Sequence, residues 1–110
     1  MARTLITMPK TAARGEVIEI RTLIAHPMET GYRAGEDGKV LPRNLIRHLS
    51  CRYFDGQDDV EVFSADLFPA IAANPFISFF TVATASGTLR FSWQGDNGFA
   101  QTETVSLTVT

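Results

Sequence analysis

A single cysteine, Cys51, is all the thiol this chain has. Neither an internal disulfide nor a multi-cysteine zinc site can therefore be built within it. Histidine is nearly as scarce, with only His26 and His48, whereas catalytic zinc usually takes about three protein ligands and structural zinc about four. A soft copper site drawn from His26, His48, Cys51 and Met28 is chemically conceivable, but nothing in their spacing brings them together, and no metal or cofactor is expected. Charge of one sign is lacking too: ten basic and twelve acidic side chains leave a formal net charge of −2, with no block of like charges. Nucleic acid and anionic membrane surfaces are thereby poor partners. The longest apolar stretch, about residues 70–85, is broken by Asn74, Pro75, Ser78 and Thr81, so it falls short of the ~20 apolar residues of a membrane span. The opening residues Met1 to Lys10 contain no apolar core of a secretory signal, and nothing in them is expected to direct export. No glycine run precedes a helix in the manner of a phosphate-binding loop.

What is present is alternation. Ile18, Ile20, Thr22 and Ile24 fall on one face with Glu19 and Arg21 on the other. Leu89, Phe91 and Trp93 alternate with Arg90, Ser92 and Gln94, and Val105, Leu107 and Val109 with Thr104, Ser106 and Thr108. A period of two is the mark of half-buried strands. Shorter or more uniformly apolar patterns predict further strands over about residues 3–8, 44–53, 60–65 and 76–85. Between them, Arg14-Gly15, Asp55-Gly56, Ser86-Gly87 and the Gly95 to Gly98 run supply turn residues that accept positive φ cheaply, and hairpins are expected at each. About seven strands in 110 residues, with no long helical pattern, predict a single all-β domain over 1–110, an antiparallel two-sheet sandwich.

Two segments break the pattern. Residues 26–43, HPMETGYRAGEDGKVLPR, are longer than an idle loop usually is and form a first candidate for partner contact through His26, Met28 and Tyr32. Residues 66–75, DLFPAIAANP, predict a short helical turn started by Pro69 and stopped by Asn74-Pro75, with Leu67, Phe68 and Ile71 as a lid over one end of the sandwich.

The stretch Phe76 to Ala83 is apolar on both faces: Phe76, Phe80 and Val82 share one side, Ile77, Phe79 and Ala83 the other. A strand of a small antiparallel sandwich normally turns one face to water. Either the lid covers this one or another chain does, and Phe76, Ile77 and Phe79 join the candidate contacts. Catalysis has weaker support. Cys51 shares its strand face with Leu49 and Tyr53, which favours a neutral buried thiol, and His48, three residues away, points to the opposite face. The acidic groups Asp58, Asp59 and Asp66, the last with Ser64 close by in sequence, sit in or beside turns where solvated charge is the default.

Four ordered segments carry a resemblance. Ile24 to Gly31 (IAHPMETG), Val62 to Phe76 (VFSADLFPAIAANPF), Ala85 to Trp93 (ASGTLRFSW) and Gly98-Phe99 are similar in order and separation to the SoxZ family, over essentially the whole chain. That resemblance implies an immunoglobulin-like sandwich pairing with SoxY as the SoxYZ heterodimer of periplasmic thiosulfate oxidation. It implies a non-catalytic scaffold with no cofactor, which helps present SoxY's cysteine-bound sulfur to the other thiosulfate-oxidation enzymes. SoxY would carry that sulfur on a Gly-Gly-Cys-Gly-Gly arm. This chain shows no such arm, and Cys51 inherits no covalent role. Export bound to a signal-bearing SoxY, and a homodimer when the chain is isolated, are further expectations. The competing classes are an independent binding sandwich and a thiol or metal enzyme.

Overall fold

Side chains that alternate along the sequence alternate in space, and the result is two sheets closed on one apolar core. The computed structural model describes residues 3–68 and 71–110. In chain order the strands are β1 (Thr4–Thr7), β2 (Thr11–Ala12), β3 (Val17–Ile24), β4 (Ile46–Phe54), β5 (Asp59–Asp66), β6 (Phe76–Val82), β7 (Gly87–Gly95) and β8 (Ala100–Val109), with one 3-10 turn at Asp96–Gly98. The smaller sheet has the order β1-β3-β6 and the larger β2-β8-β7-β4-β5. All neighbours are antiparallel except β2 on β8. This is an immunoglobulin-like sandwich. Among the described residues no helix is long and apolar enough to cross a membrane.

The inward set is the one that alternation selects. Ile18, Ile20, Thr22 and Ile24 of β3 face Leu49, Cys51 and Tyr53 of β4, Leu89, Phe91 and Trp93 of β7 and Leu107 of β8, all of them buried. Phe91 stands between Phe79, centroid to centroid 6.4 Å, and Trp93, also 6.4 Å. Phe79 stacks on Phe63 at 4.2 Å, so β6 and β5 are joined ring to ring across the sandwich.

Two of the four expected hairpins form, β4-β5 around Asp55-Gly56 and β7-β8 around Gly95 to Gly98. The other two turns do something different. Arg14-Gly15 leads from β2 to β3 and Ser86-Gly87 from β6 to β7, and each passes from one sheet to the other. Gly87 is needed for close approach rather than for positive φ: a Cβ there would overlap the carbonyl oxygen of Phe54. Strand β2 was not expected, because two residues leave no period to detect. The lid also differs from expectation. Pro69 and Ala70, where its helical turn was to begin, lie outside the described residues; of its apolar side chains Leu67 is buried while Phe68 and Ile71 are exposed.

Candidate partner interface

The smaller sheet decides where a partner can sit, because its outer face carries exposed apolar side chains on both sides of the Glu19–Arg21 ion pair, and no other strand covers them among the described residues. Register aligns Leu5 with Leu23 and Leu23 with Phe76, then Glu19 with Phe80 and Val17 with Val82. Phe76 and Phe80 are 60% and 64% exposed, and Leu5, Val17 and Val82 are exposed beside them. A hollow of about 330 Å³ lies beside Leu5 and Leu23 across β1 and β3, its wall completed by Arg3, Thr4, Ala25 and Asn74.

The six sequence candidates divide. Phe76 lies in this patch and Ile77 is half-buried beneath it. Phe79 points inward and is buried, so it serves the core and is corrected from contact to packing residue; on the alternating strand it sits opposite to Phe80. Tyr32 is 88% exposed on the long loop. His26 and Met28, expected at the surface of that loop, are buried. Residues that sequence reasoning left out are Leu5, Val17, Leu23, Phe80 and Val82. For Phe80 and Val82 the clue was present, since both share the face of Phe76.

His26 and Met28 are folded under by an internal clasp. The His26 N–H donates to Asn74 Oδ1 at 2.9 Å, and the Asn74 N–H donates to the His26 carbonyl at 2.7 Å. Met28 has a φ of 52° and Asn74 a φ of 53°, left-handed values that turn the backbone back on itself at some cost for a non-glycine residue. The Met28 N–H donates to His26 Nδ1 at 3.0 Å, and the Ile46 N–H to the Met28 sulfur at 3.3 Å. An accepting Nδ1 requires the neutral tautomer with its proton on Nε2. Nε2 is buried without a hydrogen-bond partner of ordinary geometry, and the ring meets Phe99 edge to face at 5.0 Å. At the loop's far end Asp96 receives Arg43 at 3.0 Å and the Leu45 N–H at 3.1 Å, which pins the chain as it enters β4.

Burial lowers the pKa of His26 below the ordinary histidine value, outweighing the opposite pull of Asn44 and the Asp96 carboxylate. The sign follows: between the lowered folded value and the unfolded value of about 6.5, only the unfolded chain takes up the proton. The contribution of His26 to stability is complete above about pH 6.5 and is lost as pH falls through the folded value, at no more than about 1.4 kcal/mol per pH unit for one proton. Urea denaturation from pH 8 to 5 is expected to show this loss, and His26→Gln to remove it. An identical slope in the variant would place the effect elsewhere.

Chemistry that would turn over a substrate finds little support. Cys51 is fully buried, and burial pushes its thiol up to about 12, far from the reactive thiolate range. His48 is on the opposite face, 2.8 Å from Asp66. Asp59 pairs with Arg52 at 2.9 Å, and Asp55 accepts the N–H groups of Gln57 and Asp58, which hold its carboxyl below the usual range. Among the described residues no three His, Cys, Asp or Glu side chains are grouped to hold a metal ion.

The family model described as sulphur oxidation protein SoxZ matches residues 6–106. Among curated proteins there is no significant match. Of solved structures, superoxide reductase (neelaredoxin) from Ignicoccus hospitalis is similar at a TM-score of 0.78 and 15% identity, over 97% of this chain and 80% of that one. The sulfur carrier protein SoxY from Chlorobium limicola f thiosulfatophilum is similar at a TM-score of 0.67 and 16% identity, over 97% and 78%. Both likenesses are of fold alone.

Proposed function

Because the chain belongs to the SoxZ family of sulphur oxidation proteins, with a role in sulfur oxidation, we propose that it is a non-catalytic scaffold. In this reading it binds SoxY as a heterodimer and helps present SoxY's cysteine-bound sulfur to the enzymes of thiosulfate oxidation. The observation that carries it is the pair of exposed apolar groups on the outer face of the smaller sheet, Leu5, Leu23 and Phe76 towards one end and Val17, Phe80 and Val82 towards the other, with the Glu19–Arg21 ion pair between them. Such a surface suits a lasting interface, apolar with aromatic residues near its middle. A buried thiol at about 12 fits a subunit that leaves covalent sulfur chemistry to its partner. We place the complex in the periplasm, reached together with a signal-bearing SoxY.

Co-expression of a tagged SoxY with this chain, followed by size-exclusion chromatography, tests the proposal. The two are expected to elute as one species in equal amounts at micromolar concentration. Separate elution of two folded proteins would overturn it, as would turnover of thiosulfate by this chain alone.

A further inference from the structure

A three-stranded sheet laid over a five-stranded one leaves part of the larger sheet without a roof. The shortfall falls on β5. The inner-face residues of β4, Leu49, Cys51 and Tyr53, are buried, whereas their β5 partners Ala65, Phe63 and Val60 are not, and Val60 is 54% exposed. A groove of about 350 Å³ runs along this flank, lined by Val60, Val62 and Tyr53 from the larger sheet, by Thr81 and Val82 from the smaller, and by Thr84 and the β4-β5 turn residue Asp55.

The roof stops at β6, whose far side pairs with no strand among the described residues. Its ladder to β3 is fixed at both ends: the Ile24 N–H donates to the Pro75 carbonyl at 3.3 Å, and the Ala83 N–H to the Glu16 carbonyl at 2.8 Å. Antiparallel pairing alternates, so Ile77, Phe79 and Thr81 bond to β3 while the N–H and C=O of Phe76, Ser78, Phe80 and Val82 point out along the open edge. The other edges are blunted. Strand β1 has four residues and β2 two, and β5 carries Asp59, Glu61 and Asp66 and a bulge opposite Cys51/Arg52. By contrast β6 is seven residues long with no charge and no proline, the kind of edge that folded chains rarely leave bare.

We infer that an edge strand of SoxY pairs with the open edge of β6, so that one sheet runs continuously through the interface. Donors and acceptors repeating every second residue, about 7 Å apart, are matched by another extended backbone. The next strand position lies about 4.8 Å beyond β6, over Val60, and every second side chain of the incoming strand would fill the flank groove. An uncharged host strand calls for an uncharged, apolar guest. SoxY, itself a sandwich of this fold, has sheet edges to offer. The inference rests on the proposed partnership with SoxY, and the test separates the two.

Amide exchange of the isotopically labelled chain is followed by NMR, alone and with excess purified SoxY. In the free chain Ile77, Phe79 and Thr81 are expected to exchange slowly and Phe76, Ser78, Phe80 and Val82 fast; in the complex the second group slows at least 100-fold. Ser78→Pro removes an N–H that the fold does not use. It is expected to leave thermal unfolding of the free chain nearly unchanged and to weaken the complex at least tenfold, which Ser78→Ala does not. Should the proline variant unfold, the exchange pattern of the unaltered chain still decides. A complex in which the four amides stay fast overturns edge pairing and leaves the partnership standing. Failure to form any complex overturns the partnership first. Protection that appears without SoxY and grows with protein concentration assigns the edge to a second copy and overturns this occupant.

Discussion

Phe80→Lys is expected to weaken association with SoxY by roughly 30- to 700-fold, about 2–4 kcal/mol, the range of a central aromatic anchor. Two effects act together: the loss of a large apolar ring from the outer face, and the burial of an ammonium group against the partner beside Val82 and Ser78. The free chain should barely notice. Phe80 is well exposed, surface changes usually stay within about 0.5 kcal/mol, and the cross-strand neighbour of the new lysine is Glu19, a favourable pair. Lysine is also a residue that natural edge strands use. Titration calorimetry with SoxY and thermal unfolding of the free chain check the two halves. Unchanged affinity would remove the outer face of the smaller sheet from the interface. A large fall in stability would show that Phe80 serves the core.

Phe91→Ala tests the core in the same way. Phe91 is completely buried between Phe79 and Trp93, in strand β7 whose neighbours on both sides hold the cavity walls in place. Truncation of a buried phenylalanine costs about 3–5 kcal/mol, against a total stability of about 5–15 kcal/mol for a domain of this size. The expected fall in melting temperature is roughly 13–22 °C. Urea denaturation gives the free-energy change directly, and a loss below about 1 kcal/mol would contradict close packing of Phe91 between Phe79 and Trp93. Set side by side, the two phenylalanines divide the chain's tasks: one is expected to matter for assembly and not for folding, the other for folding first.

Periodicity made much of this architecture readable. The alternations at Ile18 to Ile24, Leu89 to Trp93 and Val105 to Val109 mark strands whose buried members match the expected ones, because a side-chain period of two leaves no freedom about which residues share a face. It does not say which face is inside. For β6 both faces are apolar, and only the third dimension shows that Phe79 and Ile77 turn to the core while Phe76, Phe80 and Val82 turn out. The turns were harder to read: glycine beside serine or arginine marks a reversal, but whether the chain returns in its own sheet or crosses to the other depends on strand pairing far away in sequence. His26 and Met28 were misplaced for a related reason. Their burial depends on Asn74, forty-eight residues distant from His26, and on left-handed backbone at Met28, neither of which leaves a local pattern.

Cys51 has one more consequence, for anyone wishing to follow sulfur through an assembly that contains this subunit. With its side chain fully buried and burial pushing the thiol up to about 12, Cys51 offers far less thiolate at neutral pH than an ordinary thiol. Alkylating dyes, maleimides and isotope-coded mass tags applied to the intact assembly would pass this polypeptide by. Whatever label is recovered reports on cysteines elsewhere, with no need to mutate the one found here.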